Sequence, residues 1–274
     1  MHTLSFGSAG YPTLLAQIPN PPRTLWVHGD VGALAQSAIA IVGSRAASSD
    51  GLTIARDIAS DLSRAGVVIV SGMARGIDSA AHAAALDAHG VTVAVLGTGV
   101  DRVYPPEHSE LAARIASCGA LVSEFPPGTP PRAFHFPLRN RIISGLSRAI
   151  VVIEAPEASG ALITAREALD QGRDVMVVPG RVPGGRNRGG HALIKDGARL
   201  VEEAVDILQE LGLGAAGRKA PLPENVEFSV DDVAREMNLR PGDALARLLE
   251  WELTGEIRRI GSGRFVRTKG RVLT

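Results

Sequence analysis

Six short β-branched or apolar runs, helical spacing in the stretches between them, and a Gly/Ala/Pro-rich seam at residues 212–223 predict an α/β protein. The expected architecture is a Rossmann-like, doubly wound and mostly parallel sheet followed by a small C-terminal winged-helix domain. The runs are Ala38 to Val42, Val67 to Val70, Val91 to Leu96, Ala120 to Val122, Ala149 to Ile153 and Asp174 to Val178. They are apolar on both faces and joined by connections of helix length, which is what a buried parallel sheet requires. Gly51 to Arg64 typifies the connections, with Ile54, Ile58, Leu62 and Ala65 on one face.

Taken in chain order, residues 1–37 read as an irregular lead-in or cap, because turn signals such as Tyr11-Pro12 and Pro19-Asn20-Pro21-Pro22 dominate them. Residues 38–211 form the Rossmann-like domain and 212–223 the linker. Residues 224–274 make the smaller domain. There Ser229 caps a helix carrying Val230, Val233, Ala234 and Met237, and Pro241 opens a second with Leu245, Leu248, Leu249 and Leu253 facing inward. Gly255 stops that helix, and Ile257 to Thr268 alternates across the Gly261 to Gly263 turn as a two-stranded ribbon.

Composition narrows the function. With 45% hydrophobic and 21% charged residues the chain is an ordinary globular one. No apolar run approaches the roughly 20 residues needed to cross a bilayer, so no membrane role is expected and the reading is cytoplasmic. The single cysteine, Cys118, excludes an internal disulfide and a cysteine-cluster metal site, and is expected to be buried. Net charge is zero, but its distribution is uneven. Arg132, Arg139, Arg141 and Arg148 lie in an acid-free stretch, Arg181, Arg186, Arg188 and Lys195 in a second, and Arg258, Arg259, Arg264, Arg267, Lys269 and Arg271 in a third. Such clusters suit local footprints on a polyanion, or loops kept soluble by charge.

In an open parallel sheet, ligands lie beyond the carboxyl ends of the strands, where helix N-termini present free N–H groups. Those ends here read Gly43-Ser44-Arg45, Ser71-Gly72-Met73-Ala74-Arg75-Gly76, Gly97-Thr98-Gly99, Ser123-Glu124 and Pro179-Gly180, with Ser159-Gly160 and Thr164 after the fifth strand. Small residues let backbone amides approach a bulky anion, and Arg45 and Arg75 supply countercharge. Neither the dinucleotide fingerprint G-x-G-x-x-G nor the Walker sequence is present. Arg132 to Arg141 carries Phe134 and Phe136, two of only six Phe, among three Arg. Aromatic faces stack on unpaired bases while Arg pairs with phosphates, so the segment suits a single strand, or else a loop anchored on the core.

The succession of motifs resembles the DNA processing protein A (DprA/Smf) family. It comprises Ile41 to Arg45; Val70 to Asp78 with Ala81-His82; Phe136 to Ser147; Glu154 with Ser159, Gly160 and Thr164; and Val178-Pro179-Gly180. The resemblance implies a homodimeric, non-enzymatic protein that binds single-stranded DNA entering during natural transformation, protects it and helps load RecA. No cofactor is expected, and a metal site has no support beyond scattered His. With the strand-end pattern the resemblance nominates Gly43, Ser44, Arg45, Ser71, Gly72, Arg75, Gly76, Arg132, Phe134, Phe136, Arg139, Asn140, Arg141, Ser159 and Thr164 for the strand. Arg258, Arg259, Arg264 and Arg267 form a secondary contact, with duplex DNA as a further ligand of the winged helix. Ala133 stands where some members carry lysine, leaving Arg132 to replace it.

Two other readings stay open: a phosphoribohydrolase-type nucleotide-processing enzyme, and a winged-helix regulator of duplex DNA. The first lacks its P-G-G-x-G-T-x-x-E signature, since Pro183-Gly184-Gly185 continues as Arg186-Asn187-Arg188. Asp78 and His82, four apart on one helix, read as a cap and a packed residue rather than an acid/base pair.

Overall fold

The computed structural model describes residues 1–213, 227–236, 241–253, 257–261 and 263–267, and they group into two compact units, Met1–Leu211 and Gly212–Thr274. In chain order the first unit contains β1 His2–Ser5, α1 Thr13–Ala16, β2 Thr24–Gly29, β3 Ala38–Gly43, α2 Ser49–Arg64, β4 Val68–Ser71 and α3 Ile77–Asp87. It continues with β5 Thr92–Val95, α4 Ser109–Cys118, β6 Ala120–Ser123, α5 His135–Gly145, β7 Ala149–Ile153 and α6 Gly160–Asp170. It closes with β8 Asp174–Val177, α7 Arg188–Lys195, β9 Arg199–Leu200 and α8 Ala204–Glu210.

These strands form one nine-stranded sheet in the order β1-β2-β6-β5-β4-β3-β7-β8-β9. The seven from β6 to β9 are parallel, and the chain winds outward from β3 in one direction and from β7 in the other. The topological switch therefore falls between β3 and β7. Alternate side chains of β3 and β5 enter opposite layers. Ala38, Ala40, Val42, Val93 and Val95 join the core beneath α5 and α6, while Ala94 and Leu96 pack with Met73, Leu86 and Ile115 on the other side.

α2 is capped as its sequence requires, with Ser48 Oγ accepting the Gly51 N–H at 3.1 Å. Its buried stripe is Gly51, Ala55, Ile58, Ala59 and Leu62. Ala65, expected on that face, is the exposed C-terminal cap residue, one turn beyond the packed surface.

The irregular lead-in expected over residues 1–37 is instead part of the sheet: β1 pairs with β2, and β2 runs antiparallel to β6. The strands escape a reading by hydrophobic runs because β2 alternates half-buried Thr24 and Trp26 and exposed His28 with buried Leu25 and Val27. Leu15 and Ile18 pack against Gly145, and Tyr11 Oη–H donates to the Pro22 carbonyl at 2.7 Å. Cys118 is exposed, not buried. It lies on the outer side of α4, whose buried residues are Ala112 and Ile115.

The second unit contains β10 Glu227–Ser229, α9 Val230–Glu236, α10 Pro241–Leu253, β11 Ile257–Gly261 and β12 Arg264–Arg267. The expected ribbon, β11 with β12, gains β10 as a third antiparallel strand. Ser229 Oγ accepts the Asp232 N–H at 3.3 Å and donates to the Asp232 carboxylate at 2.8 Å, closing the start of α9. The inward face of α10 carries Ala244, Leu248 and Trp251, whose spacing places them above Phe228, Ile257 and Phe265. Leu245 and Leu249, expected inward, are exposed because they lie one position out of phase with that stripe. Most of the linker expected over 212–223, together with Met237, Gly255, Ser262, Thr268, Lys269 and Arg271, lies outside the described residues.

No helix among the described residues is long and apolar enough to cross a membrane.

Candidate nucleic-acid interface

At the carboxyl ends of β3 and β7 the first unit opens a cleft of about 410 Å³. Its lining includes Gly43, Ser44, Arg45, Asp78, Phe136, Arg139, Asn140, Ser159, Gly160 and Thr164. Two features make it receptive to an anion. The α6 N-terminus faces it, with Ser159 Oγ accepting the Ala161 N–H at 3.2 Å. Arg45 supplies the exposed cation, its guanidinium 5.8 Å from the centre of the Phe136 ring, and makes no ion pair among the described residues.

Glycines shape this surface. Gly76 takes φ +78° to start α3, and a Cβ there would strike the carbonyls of Ser44 and Arg45, so only glycine lets α3 approach the Arg45 loop. A Cβ on Gly97 would sit 2.9 Å from the Phe136 ring, which leans on Tyr104 with centroids 5.5 Å apart. Phe136 is thus held from behind, with Arg45 over it.

Beneath the cleft lies a buried polar cluster. Arg139 donates to the Gly72 carbonyl at 2.6 Å, to the Val95 carbonyl, and to Asn140 Oδ1 at 3.1 Å. Burial lowers its pKa to about 10, against the pull of Asp78, with Arg45 adding to the lowering. Asp78 accepts the N–H groups of Gly72 and Ala74 at 3.1 and 3.3 Å, and burial raises its pKa. Asn140 donates to the Gly160 carbonyl at 3.4 Å and so joins α5 to the start of α6. His82, fully buried, sets Nδ1 2.7 Å from Thr92 Oγ1, and desolvation pushes its pKa down to about 3. Asp78 and His82 are thus committed to the scaffold.

Of the residues nominated from sequence, Gly43, Ser44, Arg45, Phe136, Arg139, Asn140, Ser159 and Thr164 converge on the cleft. Arg139 faces it from within: Nη1 is committed to the Gly72 and Val95 carbonyls and Nε to Asn140 Oδ1, so what it chiefly lends the cleft is positive potential. Gly72 serves as its acceptor. Ser71 is fully buried and donates to the Ile41 carbonyl at 2.6 Å, tying β4 to β3.

Arg75 turns away to pair with Glu107. Arg141 forms a fork with both oxygens of Glu124 at 2.6 and 2.7 Å and donates to the Asn20 carbonyl, clasping the N-terminal segment. In both cases the sequence shows the charge and not the acid that meets it. Arg132 and Phe134 are exposed on the approach to α5, outside the lining of the cleft. In the second unit Arg258 is exposed, Arg259 pairs with Glu252 at 3.1 Å, Arg264 with Glu227 at 3.7 Å, and Arg267 is half-buried on β12.

Two residues passed over as site residues from sequence matter here. Asn187 Oδ1 accepts the Ala155 N–H at 2.9 Å and its Nδ2 donates to the Val178 carbonyl, pinning the 179–187 loop to the ends of β7 and β8. Arg186 on that loop donates to the Ala46 carbonyl at 2.9 Å and lies 3.6 Å from Glu154.

The fold and the cleft define the class: a Rossmann-like α/β protein with an anion-complementary recess at its switch point. Residues 2–212 match the family described as DNA recombination-mediator protein A, and the chain belongs to that family. It is 41% identical to protein Smf of Escherichia coli (strain K12), the match covering 96% of this chain and 76% of that one. It is 44% identical to the DNA processing protein DprA of Streptococcus pneumoniae, over 73% and 71%. The X-ray structure of DNA processing protein A from S. pneumoniae superposes with a TM-score of 0.73 at 42% identity, over 76% of this chain and 74% of that one. The Helicobacter pylori DNA processing protein A, studied for its single-stranded DNA binding mode, gives 0.69 at 26% identity, over 77% and 95%.

Proposed function

We propose that this chain binds single-stranded DNA at the switch-point cleft and serves DNA processing in natural transformation. One observation carries the reading: Arg45 is exposed, makes no ion pair among the described residues and lies over the ring of Phe136 at the mouth of the cleft. A cation beside an aromatic face suits a phosphate and the unpaired base next to it, and duplex DNA would keep that base stacked inside. Family membership and the H. pylori relative's recorded single-strand binding support the same reading.

On this reading the protein is a binding protein rather than an enzyme, because Asp78, His82 and Glu124 serve as acceptors or packing groups in the scaffold. It acts in the cytoplasm as a homodimer and hands its strand to RecA. The 224–274 unit is a winged helix, a reading supported by the succession of β10, α9, α10 and the β11–β12 hairpin. Its Arg258, Arg259, Arg264 and Arg267 form a secondary contact that extends to duplex DNA.

Fluorescence anisotropy of labelled oligo-dT and of a matched duplex tests the reading. Oligo-dT is expected to bind preferentially, and Phe136→Ala to weaken it by about 1–3 kcal/mol. Equal binding of both DNAs, unaffected by Phe136→Ala, would move the DNA site away from the cleft.

A further inference from the structure

Glu154 occupies the place at which this kind of fold ordinarily seats a phosphate. The helix that follows the central strand of a doubly wound sheet points its N-terminus at the switch point, and that end takes the phosphate of a bound nucleotide. The corresponding helix here is α2, 16 residues long, and an internal carboxylate already sits on it.

Glu154 Oε1 and Oε2 accept the Ser48 N–H at 2.9 and 3.1 Å, and Ser48 Oγ–H also donates to Oε2. A Cβ on Gly51 would come within 2.7 Å of Oε2, so the carboxylate rests directly against the first turn. Arg186 closes the outer side at 3.6 Å, leaving the Glu154 side chain only 11% exposed. The Glu154 backbone takes φ +49°, a left-handed conformation that a residue with a Cβ adopts rarely and that persists only where its surroundings enforce it. Part of that enforcement is the Ser44 N–H, which donates to the Glu154 carbonyl at 2.9 Å.

We propose that Glu154 is a specificity-determining residue, whose carboxylate fills the phosphate seat of α2 and bars free nucleotides from a cleft that must stay open to a polymer. Nucleotides and DNA present the same phosphate chemistry, and a bare helix N-terminus beside Arg45 and Arg186 would accept either. A nucleotide's diphosphate has to enter the seat end-on with its charge concentrated, where it meets a fixed negative group. A strand runs past the rim instead, each phosphate singly charged, and engages Arg45 and Phe136 outside the seat. The inference goes beyond the DNA reading, and its calorimetric test does not depend on it.

The full chain, as wild type, Glu154→Ala and Glu154→Gln, is titrated calorimetrically with ADP and with inorganic pyrophosphate. In parallel, ADP is used to displace labelled oligo-dT, and the Tm of each variant is recorded. Freeing a set of charge-assisted donors is expected to tighten at least one probe about 10- to 100-fold in Glu154→Ala. Glu154→Gln should fall between, since its amide fills the space without the charge; being isosteric, it keeps the test open if the alanine variant does not fold. ADP should displace oligo-dT from Glu154→Ala at concentrations that leave the wild type untouched. Folded variants that bind ADP and pyrophosphate no better than wild type overturn the inference, whatever happens with DNA. A wild type that ignores oligo-dT overturns the DNA reading instead, and the calorimetric result still decides the role of Glu154.

Discussion

Replacing Arg45 by alanine separates a charge on the binding surface from a charge in the scaffold. The side chain is exposed, makes no ion pair among the described residues and touches the fold mainly through the Phe136 ring. Its loss should therefore leave the Tm within a degree or two, as surface substitutions change stability by only about 0.5 kcal/mol. A charge-assisted bond to phosphate is worth about 1.5–3 kcal/mol when sheltered, and exposure to solvent reduces this to about 1–2 kcal/mol, or roughly 5- to 30-fold in oligo-dT affinity. Each phosphate neutralised contributes about 0.7 to the slope of log K against log salt for a single strand. The Arg45→Ala line should thus be shallower by about that amount, so its deficit shrinks about fivefold between roughly 50 and 500 mM salt. Anisotropy titrations over that range read both quantities. Parallel lines for wild type and variant, with any deficit independent of salt, would refute the assignment of a phosphate to Arg45.

The buried charges should behave differently. Arg139→Ala strips donors from the Gly72 and Val95 carbonyls and leaves Asp78 without its nearby cation, so a loss of about 3–5 kcal/mol is expected. By thermal melting that is about 10 °C, and an unchanged Tm would contradict the buried cluster. His82 is held near pKa 3 against its ordinary 6.5, so below pH 6.5 the unfolded chain takes up a proton that folded His82 refuses. Stability present above that pH is lost as pH falls toward 3, by roughly 1.4 kcal/mol per unit, or about 2 kcal/mol by pH 5. Asp78, with its raised pKa, works in the opposite sense: its contribution favours the fold in acid and fades as pH rises. Urea melts of wild type and His82→Gln at about pH 7.5 and pH 5 cancel the Asp78 contribution, and equal pH slopes would dismiss the role of His82. Gly97→Ala should push the Phe136 ring out of place and weaken oligo-dT binding severalfold, measured by the same anisotropy assay, whereas unchanged affinity would mean that ring position does not matter.

What could be read before the structure depended on which physical signal each residue leaves in one dimension. The parallel strands were legible because burial on both faces leaves an uninterrupted apolar run, as in Ala149–Ile153. β1 and β2 left no such run, since they lie antiparallel on the flank of the sheet with partly exposed side chains. Arg45, Arg75, Arg139 and Arg141 are alike as letters, yet one faces solvent, one meets Glu107, one is buried on carbonyls and one grips Glu124. Direction and partner are properties of three-dimensional neighbours, here contributed from up to 121 positions away, as between Arg141 and Asn20. On α10 both Leu249 and Trp251 are apolar, and only packing against Phe228 and Phe265 decides that Trp251 lies inside and Leu249 outside.

The attachment of β2 to β6 also sets an order of events during synthesis. β2 ends at Gly29, and its neighbour on the side away from β1 begins at Ala120, about ninety residues later in the chain. At translation speeds of about 5–20 residues per second the finished hairpin waits roughly 5–20 seconds for the strand it must join. Through that interval Leu25 and Val27, destined for complete burial, remain uncovered. A nascent-chain chaperone that shields this hairpin on the ribosome would therefore influence the yield of folded protein more than one acting on the finished chain.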